Sequence, residues 1–109
     1  HATISNSIIG IRSIVSDGSR VNRTILLGCD YYESLASIQL AESQSRPRIG
    51  IGRNTRIENA IVDKNARIGD NCHISPAGKP DSVDHPLYYI RDGIVIIPKN
   101  ASIPHGTVI

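Results

Sequence analysis

Between Ile51 and Ile74, large aliphatic residues recur at Ile51, Ile57, Val62, Ile68 and Ile74, with steps of six, five, six and six. A step of six is too long for ordinary strand alternation, and one apolar residue in six is too sparse for the buried face of a helix. It is the mark of a structural repeat. Two residues before Ile57, Val62, Ile68 and Ile74 stand Thr55, Ala60, Ala66 and Cys72, all small. Side chains two apart on a strand face the same way, so each unit sends one small and one large side chain inward. Between the units lie Gly52 and Asn54, Glu58 and Asn59, Asp63 and Asn65, then Gly69, Asp70 and Asn71. These residues tolerate the backbone angles of a tight corner. Short strands joined by sharp corners at this period predict an all-β chain wound as a parallel β-helix.

The same step runs through the start of the chain at Ile9, Val15, Val21 and Leu27, with Thr3 one step earlier. Ser7, Ser13 and Ser19 are the small partners, and the pattern fails only at Ile25. It returns at Ile97, Ile103 and Ile109, with Ala101 and Thr107 as partners, and Pro98 and Pro104 fall where a strand ends and a lost amide costs little. Three faces per coil give about 18 residues per turn and about four coils, with strands stacked about 4.8 Å apart. Two insertions interrupt them. The first, Cys29 to Arg48, has room for a short helix between Glu33 and Gln44, with Leu35, Ile38 and Ala41 or Glu42 on one face. The second, Ser75 to Asp92, is rich in Pro, Gly and Asp and is expected to hold no long regular element. All four tyrosines, Tyr31, Tyr32, Tyr88 and Tyr89, fall in the insertions, where they are expected to pack loops onto the solenoid or a neighbour.

Composition agrees with a narrow interior. The 109 residues include 19 isoleucines and no Phe, Trp or Met, and stacked β-branched side chains suit a solenoid better than a globular core that needs large space fillers. A net charge of +2, with nine Arg and three Lys spread along the chain, is too mild for a nucleic-acid footprint. No stretch reads as a membrane span or a signal peptide. Two cysteines give no disulfide framework and fit a reducing compartment, with Cys72 expected as an inert core residue. The chain begins in mid-pattern and ends on core-type Ile109, the expectation for one piece of a longer protein.

The runs IGIGRNTRIENAIVDKNARIGDN, LLGCDYYES and YYIRDGIVIIPKNASIPHGTVI resemble the carboxy-terminal domain of the glucose-1-phosphate adenylyltransferase (ADP-glucose pyrophosphorylase) family, of plant, algal or cyanobacterial type. The resemblance covers nearly the whole chain, both insertions included, and departs most over Ser75 to Leu87. It implies a left-handed parallel β-helix of hexapeptide type, a hand that periodicity leaves open and that the preference for right-handed crossovers argues against. It also implies a parent enzyme that makes ADP-glucose and pyrophosphate from glucose 1-phosphate and MgATP for starch or glycogen synthesis. The chemistry and the Mg²⁺ would belong to an amino-terminal nucleotidyltransferase domain outside this chain, so residues 1–109 would form one regulatory and assembly domain with no cofactor of its own. Expected partners are that catalytic domain, neighbouring subunits of a heterotetramer, and 3-phosphoglycerate and phosphate as activator and inhibitor. The effector lysines of the family map onto Lys64 in DKNARIGD and Lys99 in PKNAS, at corners where a flexible ammonium can reach a phosphate or carboxylate. The compartment would be a plastid in a plant or alga and the cytoplasm in a bacterium.

Two other readings compete. Hexapeptide solenoids also serve as acyltransferases and zinc hydratases, which need a catalytic His or three His ligands. His73 is expected to point outward beside inward Ile74, His85 lies in a loop, His105 in a corner and His1 at the terminus, with no pair at metal spacing. A purely structural oligomerisation solenoid with no ligand is the third reading, since the ends of a β-helix expose unpaired backbone that must be capped.

Overall fold

A computed structural model describes residues 2–31 and 33–109, so His1 and Tyr32, with their expected terminal and packing positions, lie outside the described residues. In chain order the elements are β1 (Thr3–Ser5), β2 (Ile8–Ile9), β3 (Arg20–Asn22), β4 (Ile25–Leu26), α1 (Leu35–Ser43), β5 (Gly50–Ile51), β6 (Arg56–Glu58), β7 (Ala60–Val62), β8 (Arg67–Ile68), β9 (His73–Ile74), β10 (Ser82–Asp84), β11 (Tyr89–Arg91), β12 (Ile94–Ile97) and β13 (Ser102–Ile103). The repeat becomes three parallel ladders. On the first face β1, β3, β6 and β9 stack in that order; on the second β2, β4, β7 and β12; on the third Val15 bridges to Ile51, followed by β8 and β13. The chain visits the three faces in turn, so each winding lays its strands on those of the previous one.

Register corrects two of the inward positions. Ile4 pairs with Val21, and Ile9 pairs with Leu26, which pairs with Val62 and through it with Ile97. Ile4 therefore stands in the inward column in place of Thr3, and Leu26 in place of Leu27. Leu26 is 4% exposed and Leu27 39%. The cause is a corner one residue shorter between the first and second faces: the step is five at Ile4 to Ile9, at Val21 to Leu26 and at Ile57 to Val62. With Leu26 inward, its small partner is buried Thr24, so Ile25 does not break the pattern.

The interior is a column of Ile57, Ile68, Ile74, Ile97 and Ile103, with Val21 and Val95, all at 1% exposure or less. Each isoleucine so enclosed contributes roughly 1.5 to 3 kcal/mol. The small inward residues do more than leave space. The Thr55 hydroxyl donates to the Gly69 carbonyl at 2.7 Å and accepts from the Cys72 amide at 3.2 Å, while the Ser19 hydroxyl donates to the Gly52 carbonyl and accepts from the Thr55 amide. Each small polar side chain thus satisfies backbone at the next corner, where the strand ladder cannot.

Corner chemistry follows the sequence. Asn54, Asn59, Asn65, Asn71 and Asn100 all take positive φ, between 49° and 61°, the left-handed region that Asn tolerates better than most residues. Gly52 is required for a different reason. A Cβ there would stand 2.4 Å from the Gly69 backbone, so Gly52→Ala must push two corners apart. It is expected to cost about 1 to 3 kcal/mol by overpacking, read as a lower urea midpoint with an unchanged slope.

Among the described residues both insertions carry secondary structure. In the first, α1 is capped by Ser34, whose hydroxyl accepts from the Ser37 amide, and only Ala41 of the helix is buried; Leu35 and Leu40 face solvent. The second holds no long element, but it does carry a short one: three-residue strands β10 and β11 make an antiparallel hairpin, and β11 pairs antiparallel with β12. The hairpin covers the edge of the second face that β12 would otherwise leave open, a direct remedy for unpaired backbone. Tyr88 is buried and stacked on His85 with ring centroids 4.5 Å apart. Tyr89 and Tyr31 are exposed, and the Arg91 guanidinium lies over the Tyr89 ring.

Candidate functional site

Lys64 and Lys99 occupy equivalent corners of adjacent windings. Each follows by two residues an inward residue, Val62 or Ile97, and those two are paired in register. The Asn100 amide donates to the Lys64 carbonyl at 3.0 Å, which ties the corners together. The ammonium groups meet at one carboxylate: Lys64 Nζ lies 3.5 Å from Asp30 Oδ1 and Lys99 Nζ 3.8 Å from Asp30 Oδ2. All three side chains are about half exposed, 48%, 54% and 45% for Lys64, Lys99 and Asp30.

Asp30 is held from behind. Its amide donates to Asn65 Oδ1 at 2.9 Å, and Asn65 Nδ2 donates back to Asp30 Oδ2 at 3.2 Å. Asn65 itself is 7% exposed, sits at φ 61° and donates its amide to the Gly28 carbonyl. The Asn65 side-chain amide, with Lys64 and then Lys99 beside it, holds the Asp30 carboxyl below its usual value despite some desolvation. One winding earlier on the same edge, Arg12 Nε donates to the Cys29 carbonyl at 2.9 Å. The edge thus carries Arg12, Lys64 and Lys99, with Asp30 and Asp63 set among them.

The first insertion is fastened next to this corner by a nearly enclosed ion pair. Arg67 Nη1 lies 2.8 Å from Glu33 Oε2, their side chains 16% and 4% exposed, and the same nitrogen donates to the Pro47 carbonyl at 2.8 Å. Glu33 also accepts from the Ile49 amide and the Ser37 hydroxyl. Burial pushes the Glu33 carboxyl up, but these hydrogen bonds and Arg67 outweigh it and leave the group below its usual value.

Sequence reasoning singled out the two lysines and missed Asp30, Asn65 and Arg12. The equal offset of Lys64 and Lys99 from Val62 and Ile97 is the signal that places them together. No local spacing links Asp30 to either, because it lies across the insertion. An open cleft of about 420 Å³ elsewhere, lined by Glu42, Arg46, Arg48, Arg53, Asp70 and His105 among others, includes neither lysine. The lysine pair is about half exposed to solvent.

The histidines are dispersed as expected for three of them. His73 is exposed, His85 stacks on Tyr88, and His105 accepts the Asp70 amide at 2.7 Å through Nδ1. Among the described residues no three His, Cys, Asp or Glu side chains gather as a metal site, and no helix is long and apolar enough to cross a membrane. Cys72 and Cys29 are buried and unpaired with each other. Burial pushes the Cys29 thiol up, which makes it a poor nucleophile.

A family model of the GLGC left-handed parallel β-helix domain matches residues 1–108. The chain belongs to this family. The match supplies the left hand that the repeat period does not dictate. Over 108 residues the chain is 43% identical to the small subunit of chloroplastic/amyloplastic glucose-1-phosphate adenylyltransferase from Triticum aestivum, an alignment that covers 97% of this chain and 23% of that protein. The chain thus spans less than a quarter of that relative's length.

Proposed function

We propose that this chain is the regulatory and assembly domain, about four coils long, of a glucose-1-phosphate adenylyltransferase whose catalytic domain lies outside it. The full protein would transfer the adenylyl group of ATP to glucose 1-phosphate, giving ADP-glucose and pyrophosphate for starch or glycogen synthesis, and would work in a plastid if the source is a plant or alga. Mg²⁺ would act with ATP in the catalytic domain; no residues of this chain are assigned to hold it. The observation that carries the regulatory role is the convergence of Lys64 and Lys99, from separate windings, on one carboxylate. Two adjacent flexible ammonium groups are suited to a phosphate or carboxylate ligand, here 3-phosphoglycerate as activator and phosphate as inhibitor, with the catalytic domain closing the site.

The assembly role is supported by the outer side of the second face. Ile8, Ile25, Ile61 and Ile96 stand in register there, an apolar column that suits burial against the rest of the protein or a neighbouring subunit. A purely structural solenoid would need this column and not the lysines. Lys64→Ala and Lys99→Ala in the full-length enzyme separate the two readings. Each is expected to raise the half-effective 3-phosphoglycerate and phosphate concentrations by about 10- to 100-fold, the loss of one charge-assisted contact. Turnover without effector should hardly change, and Lys79→Ala in the second insertion is the control. Equal responses of all three variants would remove the regulatory reading and leave the structural one.

A further inference from the structure

We infer that Asp30 is the built-in counter-ion of the lysine pair: its carboxylate engages the two ammonium groups that an incoming phosphate monoester or inorganic phosphate must recruit, and so sets how much of that anion the site needs. This role depends on the reading of Lys64 and Lys99 as an anion site given above. One oxygen faces each lysine, Oδ1 toward Lys64 and Oδ2 toward Lys99, so the carboxylate straddles the pair as a bound oxyanion would. The separations of 3.5 and 3.8 Å exceed the roughly 2.7 to 2.9 Å of a good charge-assisted hydrogen bond. The ammonium groups are thus neutralised without being saturated, and each keeps donors for another acceptor.

Mobility is unequally divided. Asp30 is tied by the reciprocal bonds to buried Asn65, whereas the lysines end on flexible four-carbon stems. When a ligand arrives, the lysines turn to it and the carboxylate stays close behind as a standing competitor. A monoanion offers the lysines about what Asp30 already supplies. A phosphate dianion offers the lysines more charge and more oxygens than that, but every anion must overcome the same competition from the resident carboxylate.

The test uses the full-length enzyme with Asp30→Asn, which keeps an oxygen for the Asn65 amide and removes the charge. Half-saturating inorganic phosphate, measured by inhibition of ADP-glucose synthesis and by calorimetric titration, is expected to fall about five- to tenfold, the worth of two exposed ion pairs no longer competing. 3-Phosphoglycerate should gain similarly. Asp30→Glu, with its charge retained, should stay within about twofold of the parent. Should Asp30→Asn melt below the assay temperature, Asp30→Ser, which keeps a short acceptor, carries the same expectation. Unchanged or weaker phosphate binding in the charge-free variant, with Lys64→Ala and Lys99→Ala still weakening it, overturns the counter-ion role and leaves the lysine site standing. If neither lysine variant affects phosphate, both fall.

Discussion

Arg67→Met is expected to cost about 3 to 5 kcal/mol of folding stability at pH 7, because it strands the Glu33 carboxylate in a nearly closed site. The pair is not an ordinary surface bridge worth under about 1 kcal/mol, since the two side chains are only 4% and 16% exposed. Arg67 holds the first insertion at both ends, through Glu33 near its start and the Pro47 carbonyl near its close. Losing it should therefore loosen the insertion from Cys29 to Arg48 as well as lower the global stability. The pH dependence gives a second readout. In the native chain the Glu33 carboxyl is held below the usual glutamate value, so its stabilisation is complete above that usual value and fades as the pH falls through the lowered native one. In Arg67→Met the carboxylate loses its cation, its pKa rises, and protonation relieves the buried charge. The penalty should thus shrink as the pH is taken from 7 to about 4. Urea unfolding of the parent and variant at both values measures it. A cost below about 1 kcal/mol that is the same at both would show the pair to be screened by solvent.

The solenoid was legible in the sequence because its information is local. One small and one large inward residue per unit, with Asn or Gly at the corner, is written within six consecutive residues. What local reading could not fix was the length of each corner. Placing Leu27 inward instead of Leu26 followed from assuming an even step of six, when the corner between the first and second faces is consistently one residue shorter. The hairpin of the second insertion was hidden for a different reason. Its strands are short, lie amid turn residues, and form because β12 offers an unpaired edge, a tertiary cause with no mark in local composition. The site divides in the same way. Lys64 and Lys99 stood out because the family resemblance places its effector lysines there, and the pairing of Val62 with Ile97 brings them together. Asp30 and the Glu33–Arg67 pair depend on how the first insertion folds back, and a loop of that length carries no register from which the return can be calculated.

Ile57→Ala and Ile4→Ala probe the same inward column at two depths and should behave very differently. Val21 lies between them in register, paired with Ile4 on one side and Ile57 on the other. Ile57 is fully enclosed, with Ile74 stacked on its far side, so truncation leaves a cavity that neighbours on both sides cannot fill. About 2 to 5 kcal/mol should be lost. Ile4 belongs to the first winding, where the column has no neighbour beyond it among the described residues, and it is 44% exposed. Its truncation removes little area from a site already open to water and should cost under about 1 kcal/mol. Denaturant unfolding of both variants of this chain gives the comparison, and hydrogen exchange locates the loss, because a solenoid's stability is a sum over neighbouring windings. Ile57→Ala should then accelerate exchange at β3, β6 and β9 together, whereas Ile4→Ala should accelerate it at β1 alone. Equal costs, or a loss from Ile57→Ala confined to β6, would mean that the windings do not share a continuous interior. The corner that carries Lys64 and Lys99 could then not be held in place by the stacked isoleucines, although the pairing of Val62 with Ile97 and the Asn100 amide to Lys64 carbonyl bond align the two lysines locally.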